Sequence, residues 1–344
     1  MHNLKHYFKS KKKKFFITLS LLIVFLVFTL MVSLSIGSLS ISIDKVFLAL
    51  TGSLQDKRLS HIILDIRLSR TLASIFIGAS LAVSGVLIQS VTRNALAEPF
   101  LLGLSSGALA FMALAILIIP SAILSIHYIS AIAFVGALVA FALTLMLSEA
   151  VGGSATSLIL AGIAVTSGFS GISSLLAFIV QAKLNRPFLI LLLGSLAQIL
   201  KAQVIMLAIV FSVGFIASIA LAKRLNAIMF GDEHSLQLGY NPKTTRLISS
   251  LLAALLTSVS VAVAGIIGFI GLVVPHIARL LIGNDNRFVI PLSALLGSII
   301  LCLSDISVRL ASEGLAIGEI PVGAVTSALG APFFAYLLMA KVKS

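Results

Sequence analysis

The chain has 344 residues, of which 59% are hydrophobic and only 10% charged, and its mean hydropathy is +1.18. Charged residues make up about a quarter of an average globular chain, so this composition excludes a soluble domain and predicts an all-α, polytopic membrane protein. The net charge of +13 sits on basic residues scattered at the ends of apolar runs, without the continuous basic face of a nucleic-acid binder; the single cysteine, Cys302, excludes an intrachain disulfide and a thiolate metal site.

The chain opens on "KSKKKK" at 9–14, followed by an apolar run from Phe15 to Ile36. A signal peptide has a core of roughly 7–15 apolar residues, so this longer run is expected to be an uncleaved first span, with residues 1–14 a basic cytoplasmic N-terminus. Further spans are expected near 71–91, 100–119, 129–147, 158–180, 204–222, 247–265, 266–282, 288–308 and 321–340, which makes ten. The stretch 247–282 is too long for one crossing of about 20 residues and short for two. The small residues of "AGIIGFIG" at 264–271 are expected to break it, since they let backbones approach closely. Lys341 and Lys343 should hold the C-terminus inside with the N-terminus, which requires an even number of crossings. Arg67, Arg70 and Arg309 then fall near the outer ends of spans, and 187–199 is expected to be a short helix resting on the outer surface. The whole chain, 1–344, is expected to be one transmembrane domain.

The longest polar stretch on the inner side is 223–246, "KRLNAIMFGDEHSLQLGYNPKTTR". Leu225, Ile228 and Met229 have helical spacing, Gly231 breaks the chain, and "DEHSLQLG" restarts it with acids in the first turn and Gly239 at the stop. Two short helices joined by a glycine are expected to form a knob that docks on another protein. Asp232, Glu233 and His234 do not form a metal site, because neighbours on a helix point about 100° apart and cannot converge on one ion.

Glu98, Glu149 and Asp305 lie close to span ends, where water is expected to reach them. An ionisable residue deep in a span would signal ion coupling, and none is placed there. No "GxxxxGK[ST]" phosphate loop occurs, so ATP hydrolysis is not expected of this chain: it is a conduit rather than an enzyme, with no cofactor of its own. Pro275 is expected to bend a short helix near the cytoplasm, and His276 beside it is not expected to ligate haem.

Several long segments in order, "IRLSRTLASIFIGASLAVSGVLIQSVTRNALAEPFLLGLSSGA" (66–108), "LILAGIAVTS" (158–167), "GDEHSLQLG" (231–239), "VAGIIGFIGLVVPHIARLLIGNDNRFVIPLSALLG" (263–297) and "EIPVGAVTSALGAPFFAYLL" (319–338), resemble the permeases of binding-protein-dependent ABC importers for iron-siderophores, haem and cobalamin. The resemblance runs from about residue 30 to the end. It implies a cobalamin-permease-like fold of ten helices in the bacterial cytoplasmic membrane. The implied partners are a second permease chain, identical or related, two ATPase subunits that bind ATP and Mg, and an extracytoplasmic binding protein.

By this resemblance Gly231, Asp232, Glu233, His234, Leu238 and Gly239 form the element that couples to the ATPase. Arg67, Arg70 and Arg309 match arginines that bind acidic residues of the binding protein, a task suited to bidentate guanidinium groups; Ser69 stands where the family usually has proline. Asn94, Leu96, Thr156 and Ser157 match the cytoplasmic gate, with Ala95 in place of the usual proline. The same Asn, Thr and Ser residues also suit helix capping. The expected function is iron(III)-siderophore import, with haem or cobalamin import as the alternative within the class and an ion-coupled carrier as the rival outside it.

Overall fold

The computed structural model describes residues 2–37, 39–119, 126–184, 193–315 and 318–342. Among them the secondary structure is wholly helical: α1 (His2–Ser35), α2 (Ile43–Leu50), α3 (Lys57–His61), α4 (Leu68–Thr92), α5 (Leu104–Ile118), α6 (Ile126–Ala150), α7 (Ala155–Leu184), α8 (Lys201–Met229), α9 (Asp232–Gln237), α10 (Pro242–Ala264), α11 (Ile270–Ile282), α12 (Asn286–Gly314) and α13 (Val322–Val342). Seven stretches are long and apolar enough to cross a membrane, and three shorter apolar helices, Leu104–Ile118, Ile270–Ile282 and Val322–Pro332, bring the apolar helices to the ten expected. Residues 187–192 of the expected surface helix at 187–199 lie outside the described residues, and its described part, 193–199, is not helical.

Element boundaries differ from expectation where tertiary contacts extend a helix. The helix of the first span starts at His2, so the lysine run continues the helix instead of preceding it. Lys11 lies 5.8 Å from the centre of the Phe288 ring, which also packs against Phe15 at 4.8 Å. The second span likewise begins early, at Lys57, and passes through a π-helical turn, Ile62–Arg67, into α4. Ser69 is buried within this continuous helix, so no turn occurs where proline is usual.

The break expected at 264–271 is present. Helix α10 stops at Ala264, Gly265 takes φ 73°, Phe269 takes φ 68°, and α11 begins at Ile270. Unwound backbone at membrane depth must be satisfied by protein. The Ala264 carbonyl accepts from Ser195 N at 2.8 Å, and Phe269 N donates to Glu98 Oε1 at 2.9 Å. Glu98 is therefore not a solvated span-end residue. Its half-buried carboxylate closes the start of α11, whose 13 residues rise only about 20 Å.

Helix α4 is the hub of the fold, packed by α12, α10, α8 and α11, while α5, α6 and α7 form a second group that packs mainly against α10. Residues 77–92 of α4 are all buried. Gly78 and Gly297 face each other, and a Cβ on either would overlap the other's carbonyl oxygen. That contact lets α4 and α12 approach closely, as small residues do between membrane helices. Hydroxyls bind the helices laterally: Thr257 Oγ1 donates to Ser84 Oγ at 3.0 Å, and Ser33 and Thr71 hydroxyls meet at 2.7 Å.

Candidate docking, coupling and gating sites

At one end of the bundle, the end of α1, the π-helical turn, α4, α12 and the segment before α13 bring together the three arginines expected to dock a binding protein. None of the three presents a free guanidinium. Arg67, which is buried, donates through Nη1 to the carbonyls of Leu34 at 2.8 Å and Ser35 at 3.0 Å, fastening the end of α1. Arg309, also buried, donates to the carbonyls of Ser33 and Ile36, both at 2.8 Å. Arg70 grips Asp305 with Nε at 2.9 and 3.1 Å and Nη2 at 2.8 Å, and its Nη1 pairs with Glu319.

Asp305 is fully buried and also lies 3.1 Å from Arg309. The expectation that water reaches Asp305 is corrected: it is the counter-charge of two nearly buried cations. A buried carboxylate is tolerable only when paired and hydrogen-bonded, and Arg70 and Arg309 meet that condition. The Asp305–Arg309 half is legible as an i,i+4 pair of opposite charge on one helix. Arg70 lies 235 residues from Asp305, and no local pattern announces it.

At the opposite end, Gly231 takes φ 118° and the six-residue helix α9 follows. The knob differs from expectation in one respect. Its first helix is not short, because Leu225 and Ile228 are buried in the last turns of the 29-residue α8. The second helix is held from below. Asp232 accepts from Arg246 Nη2 with both oxygens at 3.1 Å and lies 3.6 Å from Arg93 Nη2. Arg246 is buried and its Nη1 donates to the Gly153 carbonyl at 2.9 Å.

Ser235 turns inward and donates to the Tyr240 carbonyl at 3.0 Å. Glu233, His234, Leu236, Leu238 and Gly239 remain exposed, as does Phe230, whose ring meets the His234 ring edge-on at 5.6 Å. Gly239 takes φ 79° with open space around it. The knob is thus an exposed apolar and charged surface on an ionic anchor. The anchoring residues Arg93 and Arg246 were not singled out in the sequence, where they read only as basic residues flanking spans.

That anchor reaches both expected gate segments. Arg93, in left-handed conformation at φ 51°, directly precedes Asn94, whose Oδ1 accepts from Leu96 N at 2.9 Å. Gly153 precedes the turn in which Ser154 Oγ accepts from Ser157 N at 3.0 Å. Asn94 therefore closes a turn, Ser154 rather than Ser157 caps the start of α7, Thr156 is exposed, and Leu96 is half-buried. Asp285, beside this end, receives Asn226 Nδ2 at 2.8 Å and Arg287 Nη2 at 2.6 Å. Burial works to raise its carboxyl, but these hydrogen bonds outweigh it and hold the group below the usual carboxylate range.

Helix α7, beyond Thr156, is little covered by the rest of the chain. Its exposed residues include Leu160, Ile163, Ser167, Gly171, Ser174 and Phe178. Such a mixed, small-residue surface differs from a uniformly apolar lipid face. Among the described residues no group of three or more His, Cys, Asp or Glu is placed to hold a metal ion.

The model of the FecCD transport family matches residues 25–340. The chain belongs to the FecCD transport family. As a FecCD-family protein it is a membrane-embedded permease subunit of an ABC importer of the iron or metal-chelate type, not an enzyme. It is 36% identical to the hemin transport system permease protein HmuU of Yersinia pestis over 93% of this chain and 95% of that one. It is also 36% identical to the Fe(3+)-citrate import system permease protein YfmD of Bacillus subtilis, over 98% and 97%. The fold matches a solved structure described as an inward-facing conformation of a metal-chelate type ABC transporter, with TM-score 0.82 and 29% identity, covering 94% of this chain and 98% of that one.

Proposed function

We propose that this FecCD-family chain is the permease subunit of a binding-protein-dependent importer of iron(III)-siderophores. In this reading it forms a single transmembrane domain whose N- and C-termini both lie in the cytoplasm. Two copies, or this chain and a related one, form the path, and two separate ATPase subunits bind ATP and Mg. The observation that carries the reading is the knob at 230–239. Phe230, Leu236 and Leu238 are exposed, while Asp232 behind them is bound to Arg246 and Arg93. A surface that is apolar outward and ionically tethered inward suits a rigid contact that moves with a docked partner.

The tether also supports a route for that motion. Arg93 adjoins Asn94 and Leu96, and Arg246 holds the loop before Thr156 and Ser157, so displacement of α9 would pull on both gate segments. The exposed side of α7 is the surface proposed to meet the second permease and the passing chelate. Of the outer arginines, Arg70 keeps the docking role, because its partner Glu319 is 43% exposed at the rim. An acidic group of the binding protein would compete there for the guanidinium. Arg67 and Arg309 would position the helices that carry it.

Iron chelates are favoured as cargo because the relatives named for hemin and for Fe(3+)-citrate match at the same identity. The test is purification of the tagged chain from native membranes in mild detergent, with co-purifying proteins identified by mass spectrometry. An ATPase subunit and a binding protein are expected. The binding protein is then titrated with ferric siderophores, haem and cobalamin, and preference for haem or cobalamin would overturn the siderophore assignment. Recovery of the intact chain alone after crosslinking would overturn the importer assembly.

A further inference from the structure

Beside the knob, at the same end of the bundle, lies a cleft of about 200 Å³ lined by Gln89, Arg93, Ala95, Met229, Arg279 and Asn284. Its lining contains two arginines and no carboxylate. Arg279 donates through Nη1 to Gln89 Oε1, while its Nε and Nη2 are buried without a hydrogen-bond partner among the described residues. Gln89 cannot turn to serve them. Its Nε2 is spent on the carbonyls of Gly271 at 3.2 Å and Leu272 at 3.1 Å, which fixes Oε1 towards Arg279.

Nε and Nη2 form one edge of a guanidinium, the fork that binds two oxygens of a carboxylate or phosphate side by side. The neighbouring acids are committed elsewhere: Asp285 to Asn226 and Arg287, and Asp232 to Arg246. A buried cation without a counter-charge is costly, and here the uncompensated edge belongs to a residue that lines a cleft with a second cation at its rim. Arg93 is 40% exposed, and among the described residues its ion-pair contact is with Asp232 at 3.6 Å.

We infer that this cleft is an oxyanion site that takes a phosphate group, bound by the Nε–Nη2 edge of Arg279 and by Arg93. The phosphate is inorganic or belongs to a lipid headgroup. The inference depends on the proposed orientation only for the compartment that supplies the anion, which would be the cytoplasm. It does not depend on the identity of the imported chelate.

The test is thermal unfolding of the delipidated full chain in detergent, with inorganic phosphate replacing chloride at constant ionic strength. A saturable upward shift of Tm is expected, because a ligand that binds only the folded state stabilises it. Arg279→Gln should abolish the shift. Because that variant alters a partly buried residue, Asn284→Asp provides an independent check: Asn284 is exposed, and the new carboxylate at the rim should occupy the arginines, abolishing the phosphate shift without lowering Tm in chloride. Absence of any shift in the natural chain, or persistence of the full shift in both variants, would overturn the site. Repeating the melts in phosphatidylcholine vesicles with and without phosphatidylglycerol separates the sources. A lipid-dependent shift lost in Asn284→Asp assigns the headgroup, and a shift produced by inorganic phosphate alone assigns the free ion.

Discussion

Replacing Asp305 with asparagine separates a structural role of the outer arginines from a docking role. Asp305 is fully buried, accepts three hydrogen bonds from Arg70 at 2.8–3.1 Å and lies 3.1 Å from Arg309. Breaking a buried ion pair from one side costs about 3–5 kcal/mol, because the other charge is left behind. Arg70 would retain Glu319 and Arg309 would retain the Ser33 and Ile36 carbonyls, so the lower end applies, about 3 kcal/mol. At about 2 °C per kcal/mol for a large domain, Asp305→Asn should lower Tm by about 6 °C, measured by fluorescence-detected size exclusion after heating in mild detergent. Adding Arg309→Gln removes one orphaned cation and should recover part of that loss. A single variant that melts within about 1 °C of the natural chain, yet fails to capture the loaded binding protein, would refute the structural reasoning.

Gly239→Leu must place a side chain at φ 79°, and it should separate ATPase activity from uptake in reconstituted vesicles while membrane insertion is kept; normal uptake would remove Gly239 from the coupling surface. Asp232→Asn leaves buried Arg246 without its carboxylate, and should reduce uptake more than ATPase binding in a pull-down, whereas equal losses would indicate only a disrupted knob. A bulkier residue at exposed Thr156, such as Thr156→Phe, should slow substrate release without changing subunit recovery, and unchanged release would leave the segment with a capping role alone. The Asp285 carboxyl is held below its ordinary range, so its stabilising contribution is present above the unfolded pKa of about 3.9 and is lost as pH falls through the lower folded value. The fall in Tm from pH 6 to pH 3 should therefore be smaller in Asp285→Asn than in the natural chain; equal falls would refute the assignment.

The sequence by itself determined the membrane class, the ten apolar helices and the break near Gly265, because each depends on the composition of one contiguous stretch. An apolar run long enough for a bilayer reads as a span wherever its neighbours lie, and a glycine at positive φ marks a break for local steric reasons. The knob was legible for the same reason, since Gly231, the acids of "DEH" and Gly239 all lie within nine residues. Only the tertiary structure decided what the charges do. Arg70 meets Asp305 across 235 positions, Arg246 meets Gly153 across 93, and Glu98 meets Phe269 across 171. Each polar group buried near a span end must find a partner, and the partner is set by which helices pack side by side. That packing ties Arg67 and Arg309 to backbone carbonyls at the end of α1 and leaves Arg279 with an unpartnered edge beside a cleft.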